Sequence, residues 1–130
     1  MIVINVSGGG RFEQRGNYVR AKRVGVHVFV AGTTAIEPSG RLHAPGDVRA
    51  QASFIFERIA EALDGAGSRL ADVVRTRAYL TDLALAGGYI EIHGEFFAGI
   101  LPVATAIQSA LTTPGMVVEI EVDAIIRDDE

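Results

Sequence analysis

The chain has 130 residues, of which 48% are hydrophobic and 22% are charged, with a formal net charge of -4 and no cysteine. A chain of this size and composition forms one globular domain that buries roughly two-thirds of the surface exposed by its unfolded form. Without cysteine it has no disulfide, thiolate metal site or cysteine nucleophile. The acidic balance provides no overall attraction to nucleic acid or to an anionic membrane.

The N-terminal segment 1–7 has no basic region, and its apolar run is too short for a signal peptide. No later stretch approaches the ~20 apolar residues of a membrane-spanning helix. These features predict a cytoplasmic protein. The glycine cluster 8–10 precedes any strong strand, so it lacks the strand and helix that flank a phosphate-binding loop, and it is predicted to be a flexible loop.

Three strands are predicted in the first half of the chain. Segments 18–24 and 26–31 are rich in β-branched and aromatic residues, and Gly25 supplies a turn between them, so they are expected to pair as a hairpin. A further short strand is predicted near 41–43, after the turn signal at 38–40.

Two helices and three more strands are predicted in the rest of the chain. Apolar residues recur at helical spacing over 47–64. Segment 73–80 returns to the alternation of a strand, and a second helix is expected to begin at Thr81 or Asp82. The last two strands are predicted over these segments: 103–111 and 117–126, joined by a Pro-Gly turn.

This order of elements predicts an α+β protein, in which a single sheet of about six strands is covered by two helices on one face. In the last strand Glu119, Glu121 and Asp123 alternate with apolar residues, so their acidic side is expected on the uncovered face. Arg75 and Arg77 are expected on the same face. A monomer would leave this face to water, which favours its burial against other copies of the chain.

Several segments, in order along nearly the whole chain, are similar to the RidA/YjgF family, which has also been labelled endoribonuclease L-PSP or translation inhibitor. They are 16–19 (GNYV), 28–33 (VFVAGT), Asp47 with Gln51, 70–82 (LADVVRTRAYLTD), Phe96-Phe97, Pro102 and 118–122 (VEIEV). The resemblance implies a chorismate-mutase-like homotrimer with the sheets around a central barrel, the helices outside and a ligand cleft at each subunit interface. Segments 18–21, 32–34 and 93–97 resemble a divergent subgroup of the family.

The resemblance also implies a chemistry. Deaminases of this family hydrolyse imines and enamines to oxo compounds and ammonia without a metal or a cofactor. Such a reaction needs a cation for the substrate carboxylate, a group that positions water against the C=N carbon, and an aromatic wall. The expected partners are a small molecule, such as a carboxylate, and further copies of the chain.

Five residues match positions that line the family's cleft or follow its glycine segment. Tyr18 matches the cleft tyrosine, and Glu119 matches the glutamate that positions or activates water. The structural alternative for Tyr18 is a half-buried strand aromatic, and the alternative for Glu119 is a structural carboxylate paired with Arg75 or Arg77. Ala31 replaces the serine of the family's Ser-Gly segment, whereas Gly32 and Thr33 continue that segment and are expected ligand contacts.

The largest departure from the family lies in 102–105 (PVAT), which aligns with Pro-x-Arg-Ser. Ala104 stands where the family has its carboxylate-binding arginine, and alanine supplies neither charge nor donors. Thr105, in the serine position, is an expected ligand contact. Leu101 stands where members of the divergent subgroup have an arginine.

Arg20 is the best substitute for the missing cation, because in an extended strand it projects to the same side as Tyr18, two residues away. Arg77 is the second candidate, on the uncovered face. Either arginine can instead form a surface or interface ion pair.

Three functions remain open: hydrolysis of a small imine or enamine, a non-catalytic binding or interaction trimer, and RNA cleavage, which rests on the older family label. His27, His43 and His93 show no ligand spacing, which argues against a metal site. For His93 a packed or helix-capping role is predicted. The basic cluster 20–23 lacks interleaved aromatics, which argues against RNA contact.

Overall fold

The computed structural model describes residues 1–128 and contains one mixed sheet of six strands. The strands are β1 (Val3–Val6), β2 (Ala21–Val24), β3 (His27–Thr33), β4 (Val73–Leu80), β5 (Val103–Gln108) and β6 (Val118–Ile125). The α-helices are α1 (Arg11–Gly16), α2 (Val48–Gly65) and α3 (Ala86–Phe96), and short 3-10 turns lie at Leu70–Asp72 and Leu83–Leu85. The strand order is β1-β2-β3-β6-β4-β5; β4 and β5 are parallel, and every other neighbouring pair is antiparallel.

Helices α2 and α3 cover one face of this sheet. Residues of β6 alternate between buried and half-buried along the strand. Its buried members Val118 and Ile120 belong to one hydrophobic core with Ile55 and Ile59 of α2. The opposite face, here called the open face, carries the carboxylates of β6. The predicted α+β class, with a single sheet of about six strands, is confirmed.

One polar side chain organises the covered side. Gln51 of α2 is fully buried, and its Nε2 donates to the carbonyls of Ala44 at 3.1 Å and Gly115 at 2.9 Å. Its Oε1 accepts from the N–H of Val117 at 3.1 Å. Because these bonds satisfy the buried amide, Gln51 ties the loop before α2 and the Pro-Gly turn to the start of β6.

The N-terminal segment differs from the prediction. The glycine cluster 8–10 lies between β1 and α1, so it has a strand before it and a helix after it. The N–H groups of Gly8 and Gly10 donate to the carboxylate of Glu13, at 3.0 and 3.3 Å, and Glu13 is buried. A carboxylate of the chain itself occupies these donors, so the cluster is a held loop rather than a free one. Both neighbouring elements are too short for periodicity to reveal them.

Two other predicted elements are corrected. Segment 41–43 is not a strand, because Leu42 forms only an isolated bridge to Ile36; the sixth strand is β1. The second helix begins later than expected: the side chain of Asp82 caps a 3-10 turn, and α3 itself begins at Ala86.

The last two strands are slightly shorter than predicted and end at Gln108 and Ile125. β5 stops at Gln108 because that residue is level with Leu80, the last residue of its neighbour β4. Within residues 1–128, no helix is both long enough and apolar enough to cross a membrane.

Candidate functional site

The pairing of β3 with β6 is interrupted by a β-bulge at Ala31 and Gly32. Three steps along β3, from Val30 to Thr33, oppose two steps along β6. A bulge turns backbone groups out of the ladder and re-aims the strand. The hydroxyl of Thr33 donates to the carbonyl of Ala31 at 2.8 Å, and Thr33 is buried. The side chain of Thr33 is therefore committed to holding the bulge.

Glu119 lies on the open face beside this bulge. A Cβ atom at Gly32 would lie 2.1 Å from Oε2 of Glu119, so the approach of the carboxyl requires a glycine. Partial burial raises the pKa of Glu119 above its ordinary value of 4.5; Arg20 opposes this rise and Glu121 adds to it. Within residues 1–128 the carboxyl forms no hydrogen bond or ion pair. It is a partly desolvated carboxyl with free acceptor positions.

Arg20 reaches the same place from the strand before β2. Its N–H donates to the carbonyl of Val6, and its own carbonyl accepts from the N–H of Ala31, both at 2.9 Å. The guanidinium Nη2 donates to the carbonyl of Gly32 at 2.8 Å. Its Nε is buried and has no partner among residues 1–128. A neutral carbonyl therefore holds the cation of Arg20 close to the carboxyl of Glu119.

A groove of about 520 Å³ crosses β2 and β3 on the open face. Its walls include Tyr18, Lys22, Phe29, Ala31 and Glu121. The wall therefore combines aromatic surface with both signs of charge, and the bulge forms one end of it.

Tyr18 separates this groove from a second one of about 320 Å³ beside α1. Helix α1 ends at Gly16, and the next residue, Asn17, has a left-handed backbone (φ 56°) that turns the chain. A Cβ atom at Gly16 would lie 2.8 Å from the ring of Tyr18, so glycine lets the ring lie against the turn. Tyr18 is 46% exposed, which leaves ring surface available to a ligand.

The other arginines of the open face are committed to ion pairs. Nη1 of Arg77 lies 3.3 Å from Oδ2 of Asp123 and 3.8 Å from Oε2 of Glu121. Nε of Arg75 lies 3.8 Å from Oδ2 of Asp123. The hydroxyl of Tyr79 donates to Glu121, and this hydrogen bond raises the pKa of Tyr79. Glu121 and Asp123 thus serve a structural network, and the charge of Arg77 is neutralised within it.

The segment that aligns with the family's arginine motif lies elsewhere. β5 is an edge strand, and all of its residues are exposed. Thr105 is level with Arg77 on the open face, whereas Ala104 is level with Thr76 and faces the helix-covered side. The residue of β5 level with Glu119 comes three positions after Ala104. Ala104 is therefore about 10 Å along the strands and about 10 Å across them from Glu119.

One chain thus brings Arg20, Ala31, Gly32 and Glu119 together, with Tyr18 at the adjoining groove. It does not bring Ala104 and Thr105 to them. Leu101, which precedes β5, is 84% exposed and has a left-handed backbone with φ 56°.

His93 lies on the covered side, away from the open face. Its Nε2 is 2.9 Å from Oγ1 of Thr76, and its ring packs against Phe56, Tyr89 and Phe97. Burial lowers the pKa of His93 below 6.5. The predicted packed role of His93 is what the structure shows. Among residues 1–128, no three His, Asp or Glu side chains are placed to hold a metal ion.

Sequence reasoning missed the part that the glycine loop plays beside the site. A Cβ atom at Gly8 would lie 2.7 Å from Oε2 of Glu13 and 3.1 Å from Cβ and Cδ of Arg20. The loop therefore packs on the aliphatic stem of Arg20, a contact that local sequence does not reveal. Lys22 and Phe29 were also missed, although they are level with each other in the hairpin and alternation was enough to find them.

The chain matches a family model described as Endoribonuclease L-PSP over residues 9–126. A RutC family protein of Pyrococcus abyssi is 32% identical over 106 residues, which cover 82% of this chain and 84% of the relative. The 2-iminobutanoate/2-iminopropanoate deaminase of Mus musculus is 33% identical over 110 residues, which cover 85% of this chain and 82% of the relative.

Solved structures agree with these relatives. Rv2704 of Mycobacterium tuberculosis, a member of the YjgF/YER057c/UK114 family, has a TM-score of 0.86 and 41% identity and covers 96% of this chain and 100% of its own. RidA from an Antarctic Psychrobacter has a TM-score of 0.78 and 30% identity, with 94% of each chain covered. The fold is thus the YjgF-like, chorismate-mutase-like α+β fold. The chain belongs to the RidA/YjgF family, whose relatives include imine deaminases.

Proposed function

We propose that the chain forms a homotrimer whose inter-subunit clefts hydrolyse small imines or enamines to oxo compounds and ammonia. The state of Glu119 carries this proposal. Its carboxyl is half-buried, has a raised pKa, lies against Gly32 and makes no hydrogen bond or ion pair within residues 1–128. A carboxyl in this state is suited to take a proton from water, because its basicity is raised and its lone pairs are free.

The reaction follows from this placement. Ionised Glu119 accepts a proton from water as the water oxygen bonds to the carbon of a protonated imine, and the C=N electron pair moves to nitrogen. Protonated Glu119 then passes the proton to the nitrogen of the resulting carbinolamine. Ammonia leaves as the C–O bond becomes C=O, and the hydroxyl proton is released to solvent. Tyr18 forms the aromatic wall beside the reacting group.

The assembly is supported by the surface of β5. Val103 and Ile107 are exposed hydrophobic residues on this edge strand. An apolar edge strand with unpaired backbone groups needs cover in a stable protein. We take the cover to be a second copy of the chain, because the 102–105 segment and Glu119 lie about 10 Å apart both along and across the strands of one sheet, and a cleft that joins them needs two copies.

The catalytic proposal is tested with freshly generated 2-iminobutanoate, whose decay is followed with and without protein. We expect the protein to accelerate the decay and Glu119→Gln to lower the rate by about 100-fold or more, because a positioned general base contributes about that much. Glu57→Gln, at an exposed position of α2, removes the same charge and is the matched control. A wild-type protein with no effect on several imines would contradict the proposal.

A non-catalytic binding trimer is the second candidate, and the missing charge at Ala104 favours it. In that case a small molecule raises the unfolding temperature without being converted. A ligand at 100 times its dissociation constant adds about 2.7 kcal/mol to the free energy of unfolding. Turnover of the bound compound excludes this candidate.

A further inference from the structure

Arg20 differs from the other arginines of the open face in what meets its charge. Arg75 and Arg77 each lie within ion-pair distance of a carboxylate of β6. Arg20 bonds instead to the neutral carbonyl of Gly32, and its buried Nε has no partner among residues 1–128. Buried donors in native proteins nearly always have a partner, so the unmet Nε shows that hydrogen bonds within residues 1–128 leave the guanidinium of Arg20 incompletely satisfied.

The guanidinium of Arg20 is also held in place before any ligand arrives. The backbone of Gly8 packs on its aliphatic stem, and the bulge presents the carbonyl of Gly32 to its Nη2. A cation held in this way loses little freedom when it binds an anion, and a site prepared in advance binds more tightly.

Glu119 does not neutralise the positive charge of Arg20 in a close ion pair. Arg20 favours the ionised form of Glu119, but burial outweighs it and the net pKa of Glu119 is raised. A close ion pair would instead have lowered that pKa. Arg20 therefore remains available to an anion that comes from outside the chain.

We propose that Arg20 binds the anionic group of the cleft ligand and so supplies the charge that Ala104 lacks. This proposal rests on the proposed function for the position of the cleft, but it does not require turnover. A planar guanidinium with free N–H donors suits a carboxylate, which it can bind through two hydrogen bonds. The site then selects small 2-oxo or 2-imino carboxylates over uncharged ketones and imines, with the reactive carbon next to Glu119.

The test measures equilibrium binding, so that it does not depend on catalysis. Binding of 2-oxobutanoate and of uncharged butanone to the assembled wild-type protein is measured by titration calorimetry. The same titrations are run on Arg20→Gln, Arg20→Lys and the control Arg41→Gln, which removes an equal charge from an exposed loop. Circular dichroism and sedimentation establish that each variant keeps its fold and its mass.

We expect 2-oxobutanoate to bind at least tenfold more tightly than butanone, because hydrogen bonds to charged groups contribute about a factor of ten or more. Arg20→Gln should remove this preference, Arg20→Lys should keep part of it, and Arg41→Gln should leave it unchanged. A folded Arg20→Gln that binds 2-oxobutanoate as tightly as the wild type overturns the proposal. A wild-type protein with no preference for the carboxylate overturns it as well. Either result leaves imine hydrolysis to be judged separately by Glu119→Gln.

Discussion

Two regions of the sheet differ in how complete they are within one chain: the β2–β3 end, which here means Arg20, the bulge and Glu119 on the neighbouring strand β6, and the β5 end, which means the edge strand β5. At the β2–β3 end, a bulge, two glycines and a held loop place Arg20 against the carbonyl of Gly32 and close to Glu119. At the β5 end, every residue of the edge strand is exposed and Ala104 carries no chemistry of its own. The first end brings the candidate site residues together within one chain, and the second is an exposed edge strand.

This difference indicates where the proposed chemistry of the chain lies. The family's motif for carboxylate binding aligns with the β5 end, yet the uncommitted cation and the uncommitted carboxyl both lie at the other end. A cleft made of one end from each of two copies would combine the reactive groups of one chain with the apolar edge of the next. Four predictions test this contrast.

The largest effect is expected from charges placed on the edge strand. Val103 and Ile107 are both exposed in one chain, so a Val103→Asp, Ile107→Asp variant should fold. It should not assemble, because burying two carboxylates in an interface costs several kcal/mol each. Sedimentation should give the mass of one 13.8 kDa chain, and imine hydrolysis should be lost. The control Val26→Asp, at the β2–β3 turn, should stay assembled. A trimeric double variant would show that β5 lies outside the interface.

The next largest effect is expected at Gly32. In Gly32→Ala the new methyl group would lie 2.1 Å from Oε2 of Glu119, so the carboxyl must move. Displacing a catalytic group by about 1 Å costs about 100-fold in rate, and we expect kcat to fall by about that factor with the fold retained. Gly87→Ala, whose added Cβ meets nothing within 4 Å, is the control. If Gly32→Ala and Gly87→Ala were equally active, the position of Glu119 would not matter for the reaction, which would contradict its proposed role.

The pH dependence of the reaction gives a smaller and more specific effect. Glu119 acts as a base only when it is ionised, so kcat/KM should rise with pH through a midpoint above 4.5, the ordinary pKa that burial raises. Arg20 lowers the pKa of Glu119, so Arg20→Gln should move the midpoint to higher pH. A midpoint that moves to lower pH in this variant would contradict the placement of the two groups.

The smallest effect is expected on the covered side of the sheet, where His93 of α3 contacts Thr76 of β4. Burial lowers the pKa of His93 below 6.5, so the unfolded chain binds more protons just below that pH. The contribution of His93 to stability is therefore complete above pH 6.5 and declines as the pH falls toward the lowered pKa. His93→Gln keeps a hydrogen-bond partner for Thr76 but does not titrate, so it should flatten this part of the stability curve. Imine hydrolysis at neutral pH should be nearly unchanged, because His93 packs on the covered side of the sheet and Glu119 lies on the open face.

Most of the helices and strands can be predicted from the sequence, because a long segment with regularly spaced apolar residues indicates its own secondary structure. The alternation of β6 assigns Glu119, Glu121 and Asp123 to one face, as the structure shows. The bulge at Gly32 does not follow, because a register shift depends on a partner strand that lies far away in the chain. The same reason explains the missed contact between the loop at Gly8 and Arg20. Local patterns give the elements, and the long-range contacts give the site.

Subunit complementation tests most directly the claim that each cleft joins the two ends of different chains. Glu119→Gln inactivates the reactive end, and Ala104→Trp blocks the β5 end with a bulky side chain. Each variant alone should be inactive. Equal amounts of the two, unfolded and reassembled together, should recover about a quarter of wild-type activity, because that share of interfaces joins two unaltered ends. A mixture that stays as inactive as its parents would show that the two ends do not meet in one cleft.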